Sequence, residues 1–180
     1  FSEPQATIKE VIFGNFQSYK FPLKYGLLSG TQSMAFQRQT VENNRVIYIY
    51  QDHEKKITKE FIFSNSGYDL ALEIKIQNTS AGILKVQLPV ILGVLDFSSK
   101  QGQVNYQDVC AADQYKINYP NIRKENSFNS LKFIGLRDRY FCAIVQPENP
   151  NYGGFVTKIA ANEAEVGLIS PELEIAPRTE

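Results

Sequence analysis

The chain has 180 residues, 43% of them hydrophobic and 12% aromatic, with Lys+Arg and Asp+Glu balanced at 19 each. That length carries one domain with a substantial core, and the composition excludes a disordered chain. Balanced charge, with no basic run longer than Lys55-Lys56 or Arg123-Lys124, argues against a broad nucleic-acid footprint. No stretch approaches the roughly 18–20 apolar residues needed to span a bilayer. The best run, 88–97, is interrupted by Pro89, Gly93 and Asp96. Phe1 opens the chain with neither an initiator Met nor a signal peptide, which implies a piece of a longer protein or a processed form.

Residues 7–16 read as a first strand and residues 21–30 as a loop punctuated by Pro22, Gly26 and Gly30. Residues 34–39 and 45–51 are short strands joined by Glu42-Asn43-Asn44. Val46, Tyr48 and Tyr50 alternate with Ile47 and Ile49, so both faces of the second strand are apolar and it is expected to be central. After a polar turn, residues 57–77 carry the clearest signal in the chain. Ile57, Lys59, Phe61 and Phe63 share one side of a pleat, and Leu70, Leu72, Ile74 and Ile76 share one side of the next. Ser64-Asn65-Ser66-Gly67 lies between them, where Gly supplies positive φ and Asn and Ser bond their own backbone. This is a hairpin in a large antiparallel sheet.

Residues 83–95 resume as strand. Residues 96–130 are the least regular part, with a short strand expected near 115–118 and a short helix near 106–112. Residues 131–136 and 140–146 pair across Arg137-Asp138-Arg139, and strands at 154–160, 165–168 and 173–176 close the chain. No apolar stripe at helical spacing is long enough for a core helix, and no repeat is present. The expectation is one all-β domain over residues 1–180, a sandwich or barrel of mostly antiparallel strands with at most one or two short helices.

Candidate chemistry is sparse. His53, the only histidine, would need Asp52 or Glu54 to orient it as a general base, yet adjacent strand residues point to opposite faces, so an exposed turn histidine is favoured. A single histidine also excludes a two-histidine metal or acid/base site. Cys110 and Cys142 form no CxxC and have no nearby His; Cys142, in the apolar run 140–145, is expected to be a buried small hydrophobe, and whether the two pair is open. Glu163, Glu165, Glu172 and Glu174 read as a charged edge that blocks strand addition. Tyr152-Gly153-Gly154-Phe155 reads as a turn, since it lacks the spacing and following helix of a phosphate loop. Asn78-Thr79-Ser80 has the pattern of a glycosylation sequon but fits a simple turn. Arg137-Asp138-Arg139 reads as an anion grip or, more commonly, a solvated hairpin tip. Tyr106, Tyr115, Tyr119 and Tyr152 lie in or beside irregular segments, where tyrosines serve as partner contacts or as loop anchors. No catalytic, cofactor or metal residue is assigned.

Three stretches together resemble the large periplasmic domain of YidC-type membrane protein insertases: residues 56–63 with 67–78 (KITKEFIF and GYDLALEIKIQN), residues 133–147 (FIGLRDRYFCAIVQP) and residues 170–179 (SPELEIAPRT). In the second stretch the family's aromatic, apolar pair, polar turn and Tyr-Phe fall on Phe133, Ile134, Asp138, Tyr140 and Phe141. Residues 8–16 match the opening strand, without the Gly-Gly pair usual there, and Phe133 stands where the family often has Trp. The resemblance implies a β-supersandwich similar to galactose-mutarotase-like folds, in the periplasm of a bacterial inner-membrane protein. The parent would insert and help fold membrane proteins, alone or with the Sec translocon, and the domain would contact translocon subunits and nascent chains without catalysis or cofactor. The insertion groove lies in the family's membrane core, so none of its residues carries over. A docking site is expected at Tyr106, Tyr115, Tyr119, Arg137 and Arg139. A mutarotase-type enzyme and a secreted sugar-binding or adhesion module are the alternatives.

Overall fold

The computed structural model describes residues 3–31, 33–96, 108–149 and 151–180. Among the described residues all regular structure is β-strand: β1 (Ile8–Phe13), β2 (Tyr19–Gly26), β3 (Leu28–Ser29), β4 (Gln37–Glu42), β5 (Arg45–Gln51), β6 (Lys55–Phe63), β7 (Leu70–Asn78), β8 (Leu84–Val86), β9 (Pro89–Asp96), β10 (Asp108–Ala112), β11 (Ile117–Asn118), β12 (Asn126–Phe128), β13 (Phe133–Arg137), β14 (Cys142–Val145), β15 (Gly153–Ala160), β16 (Glu163–Ile169) and β17 (Leu173–Ile175). Every pairing is antiparallel, as in β-sandwich architecture. The backbone clusters into two compact units, one of Phe1–Ala6, Thr31–Val86 and Glu172–Glu180, the other of Thr7–Gly30 and Gln87–Pro171.

The first unit is built on the four-stranded sheet β4-β5-β6-β7. Period-2 alternation sets its register: Ile57, Lys59 and Phe61 all point inward at 0% exposure, paired with Ile76, Ile74 and Leu72 across the hairpin. Tyr48 of β5 is opposite Lys59 and fully buried, with its ring edge-on to Phe61 at 6.1 Å. β5 is central, as its two apolar faces predict, although Ile47 and Ile49 are only half-buried. β8 and β17 form a separate ribbon. Asn78 ties it down: its Nδ2 donates to the Gly82 and Ile175 carbonyls at 2.7 and 2.9 Å, and its Oδ1 accepts from Ser80 N and Oγ. A side chain so fully bonded and buried is a structural anchor rather than a glycan acceptor.

The second unit packs two sheets face to face. One runs β1-β2-β9-β16-β15-β12, with β3 also on β9; the other runs β11-β10-β13-β14. Val109, Ala111, Ile134 and Leu136 of the smaller sheet are at most 4% exposed and form its inner face. Glycines let the layers approach: a Cβ on Gly93 would stand 2.7 Å from Leu136 Cδ1, and one on Gly154 would overlap Leu131.

Several expectations change. Residues 21–30 are strands β2 and β3, not a loop, because Phe21, Leu23 and Leu28 are buried and their burial outweighs the punctuating Pro and Gly. Pro22 is tolerated where β1 is the only neighbour of β2, since β9 pairs with it only at Lys24. The strand expected over 83–95 divides at Gln87 and Leu88 into β8 and β9, which belong to different units. Residues 108–112 are strand rather than helix, their alternation being hidden by small side chains; residues 106 and 107 lie outside the described residues. Gly153–Phe155 begin strand β15 rather than making a turn. Glu163 and Glu165 guard no edge, because β16 lies between β9 and β15; Glu163 pairs with Lys24 at 2.6 Å instead.

Candidate functional site

The most organised surface feature lies in the second unit, where the β13–β14 turn meets the tip of the β1–β2 hairpin. Asp138 opens the turn. Its Oδ1 accepts the backbone N–H groups of Tyr140 and Phe141 at 2.7 and 2.8 Å, the usual bonding of an aspartate that starts a turn. Its Oδ2 accepts the Tyr19 hydroxyl at 2.5 Å. That bond to a carboxylate, reinforced by burial and by the Asp138 charge, holds the proton on Tyr19 and pushes its pKa up to about 12. One carboxylate therefore fixes both the turn and its neighbour.

Aromatic rings fill the space around this lock. Phe13 and Phe141 stack at 4.0 Å, Phe16 stands edge-on to Phe141 at 5.3 Å, and Tyr19 meets Tyr140 at 5.9 Å. Phe16 and Tyr140 remain 53% and 69% exposed. At the root of the turn, Arg137 bonds Asp108 at 2.9 Å, and its guanidinium lies 4.7 Å from the Tyr119 ring centroid. Arg139 is exposed within the turn. The result is a cluster of rings with a cationic margin, rigid below and wet above.

The structure brings Tyr119 and Arg137 together and places Arg139 in the adjoining turn. It does not bring Tyr115 to them. Tyr115 occupies the Asp113 turn after β10, whereas Asp108 and Arg137 sit at the opposite end of that strand. Tyr106 lies outside the described residues. The triplet is more than a solvated tip, since Arg137 and Asp138 are both engaged. Sequence reasoning missed Phe13, Phe16 and Tyr19, whose spacing around Gly14-Asn15 marks an aromatic hairpin tip.

The YidC periplasmic domain family matches residues 27–180. The chain belongs to that family. Membership associates it with YidC-type membrane insertases and implies a periplasmic place for this domain. No curated protein matches the chain. Among the described residues no helix is long and apolar enough to cross a membrane. The matched region of this YidC periplasmic domain includes the Asp138 turn, Tyr119 and Arg137 and begins after Phe13, Phe16 and Tyr19.

Elsewhere in the YidC periplasmic domain, polar groups serve the fold. Asp52 accepts from the N–H groups of Glu54 and Lys55, from the Tyr50 hydroxyl and from Lys55 Nζ. Burial alone would raise its pKa, but those bonds outweigh it and hold the carboxyl below the usual range. Asp52 is thus committed to its own turn. His53 beside it is 88% exposed and 3.8 Å from Glu54, without the enclosure a general base would have. Cys142 is exposed and Cys110 buried; the expectation of a buried Cys142 is overturned because its side chain faces outward from β14.

Proposed function

We propose that this domain is a non-catalytic docking module of its insertase. Its aromatic end contacts protein partners outside the membrane: Sec translocon subunits, and nascent membrane proteins during folding. The reading rests on the exposed ring cluster that Asp138 holds in place. Exposed aromatics on a rigid frame lose little conformational freedom on binding and bury a large apolar area, as interface anchors do. Phe16, Tyr119 and Tyr140 are the anchors, with Arg137 and Arg139 supplying cationic contacts to acidic or carbonyl groups of the partner. Tyr115 contributes a separate contact at the far end of β10, and Tyr106 remains a candidate on sequence grounds alone.

The test is co-purification of Sec subunits with the full-length, membrane-embedded parent. Arg139→Glu combined with Tyr140→Ala lowers recovery by roughly tenfold, as loss of an anchor costing somewhat more than 1 kcal/mol requires. Undiminished recovery with a folded double variant overturns the assignment. NMR of sugar anomer exchange checks the non-catalytic part: the domain leaves the exchange rate unchanged.

A further inference from the structure

Cys110 on β10 and Cys142 on β14 do not lie on neighbouring strands; β13 runs between them. Their sulfurs nevertheless approach to 3.9 Å. The register explains how. Cys110 stands opposite Gly135 and Cys142 opposite Arg137, so all four residues share the outer face of the smaller sheet. Gly135 leaves that face bare at the crossing point. A Cβ there would stand 2.9 Å from Cys110 Sγ and 3.2 Å from Cys142 Sγ, in the space where the two side chains lean together.

This geometry is poor for a disulfide. Strands are spaced about 4.8 Å apart, so two intervals separate the backbones by roughly 10 Å, beyond the ~7 Å limit for a direct S–S bond without backbone movement. It suits a bridging atom. Two metal–sulfur bonds of about 2.3 Å each span up to roughly 4.6 Å, so an ion fits between sulfurs at this separation with little adjustment. We propose that Cys110 and Cys142 form a two-thiolate site for a soft monovalent cation of the Cu(I) class.

The ligand set selects that class. Among the described residues no cluster of three or more His, Cys, Asp or Glu is placed for a metal, so zinc and harder cations lack their usual complement. Cu(I) favours soft thiolate ligands. Binding displaces both protons: two thiols and Cu(I) give a bis-thiolate carrying one negative charge, and two protons enter solvent. Arg137 pairs with Cys142 across the strands and lies on the same face, where its positive charge stands beside the anionic bis-thiolate. Each thiol must give up its proton to bind, so copper competes with protons and affinity falls as pH falls. Cys142 is exposed and gives the ion a way in; Cys110 is buried and gives it a shielded partner.

The test titrates the reduced 1–180 chain anaerobically against the Cu(I)–bicinchoninate complex. The chain withdraws one equivalent of copper, X-ray absorption reports two sulfur ligands, and Cys142→Ser, at an exposed position, weakens binding by more than about a hundredfold, beyond the loss of a supporting group. Cys110→Ser does the same. If the Cys142→Ser variant holds copper as tightly as the parent chain, the site is disproved. Oxidised glutathione without metal supplies a second check: both thiols stay titratable and the mass is unchanged. Rapid loss of two hydrogens without glutathione addition means the sulfurs bond directly, and the bridging geometry is wrong.

Discussion

The β6–β7 hairpin of the first unit and the β13–β14 hairpin of the second use polar residues in opposite ways. In the first, Lys59 is drawn fully inside, its Nζ donating to the Ala6 carbonyl at 2.7 Å while Phe61 and Phe36 lie 5.1 and 5.8 Å away. In the second, Asp138 stays near the surface and props aromatic rings outward. A buried polar group enclosed by apolar contacts adds to the definition of a core, and a partly exposed one beneath bare rings adds to the definition of a surface. On the proposed docking reading, the first hairpin answers to stability and the second to binding.

Substitutions in the two hairpins therefore differ in size. Phe61→Ala is the largest, about 4 kcal/mol by urea denaturation, because a fully buried ring is lost and Lys59 loses a neighbour. Asn78→Ala follows at roughly 2–3 kcal/mol, since the Gly82 and Ile175 carbonyls lose their shared donor. A value near that of a surface site for Phe61→Ala would contradict the buried-core role of the first hairpin.

Lys59→Met is separated from these by its pH dependence. Burial lowers the pKa of Lys59 from 10.5 to about 7. Above that value the folded state holds the amine neutral while the unfolded state still binds the proton, so stability rises with pH until about 10.5 and is flat below 7. The wild type gains roughly 2 kcal/mol on Lys59→Met between pH 7 and 9. Parallel stability profiles would mean that Lys59 keeps its proton in the fold.

How much of this is legible in the sequence depends on what each residue packs against. Strict alternation sets the β6–β7 hairpin, including the inward face of Lys59, and the two-faced apolar pattern bounds β5 correctly at Arg45–Gln51. β2 is hidden because Pro22 and Gly26 are turn residues by local chemistry, and only the long-range burial of Phe21 and Leu23 overrides them. At the aromatic end, composition points to Tyr119, Arg137 and Arg139 but not to the partners that hold the cluster. Tyr19 and Asp138 are 119 positions apart, and no local pattern reports such a bond.

The smallest effect is expected at that bond. Tyr19→Phe removes the hydroxyl but keeps the ring among Phe141 and Tyr140. The bond is only partly buried, so solvent already offers both groups a substitute and the loss is at most about 1 kcal/mol. Its signature lies in the alkaline limb. A tyrosine whose pKa is raised to about 12 stabilises the fold fully below its ordinary value of 10.0, and that contribution disappears as pH climbs to about 12. Urea melts of the two chains therefore converge over that interval and stay parallel below it. If Asp138 does no more than form its own turn, they remain parallel throughout, and the rings above it are held by packing alone.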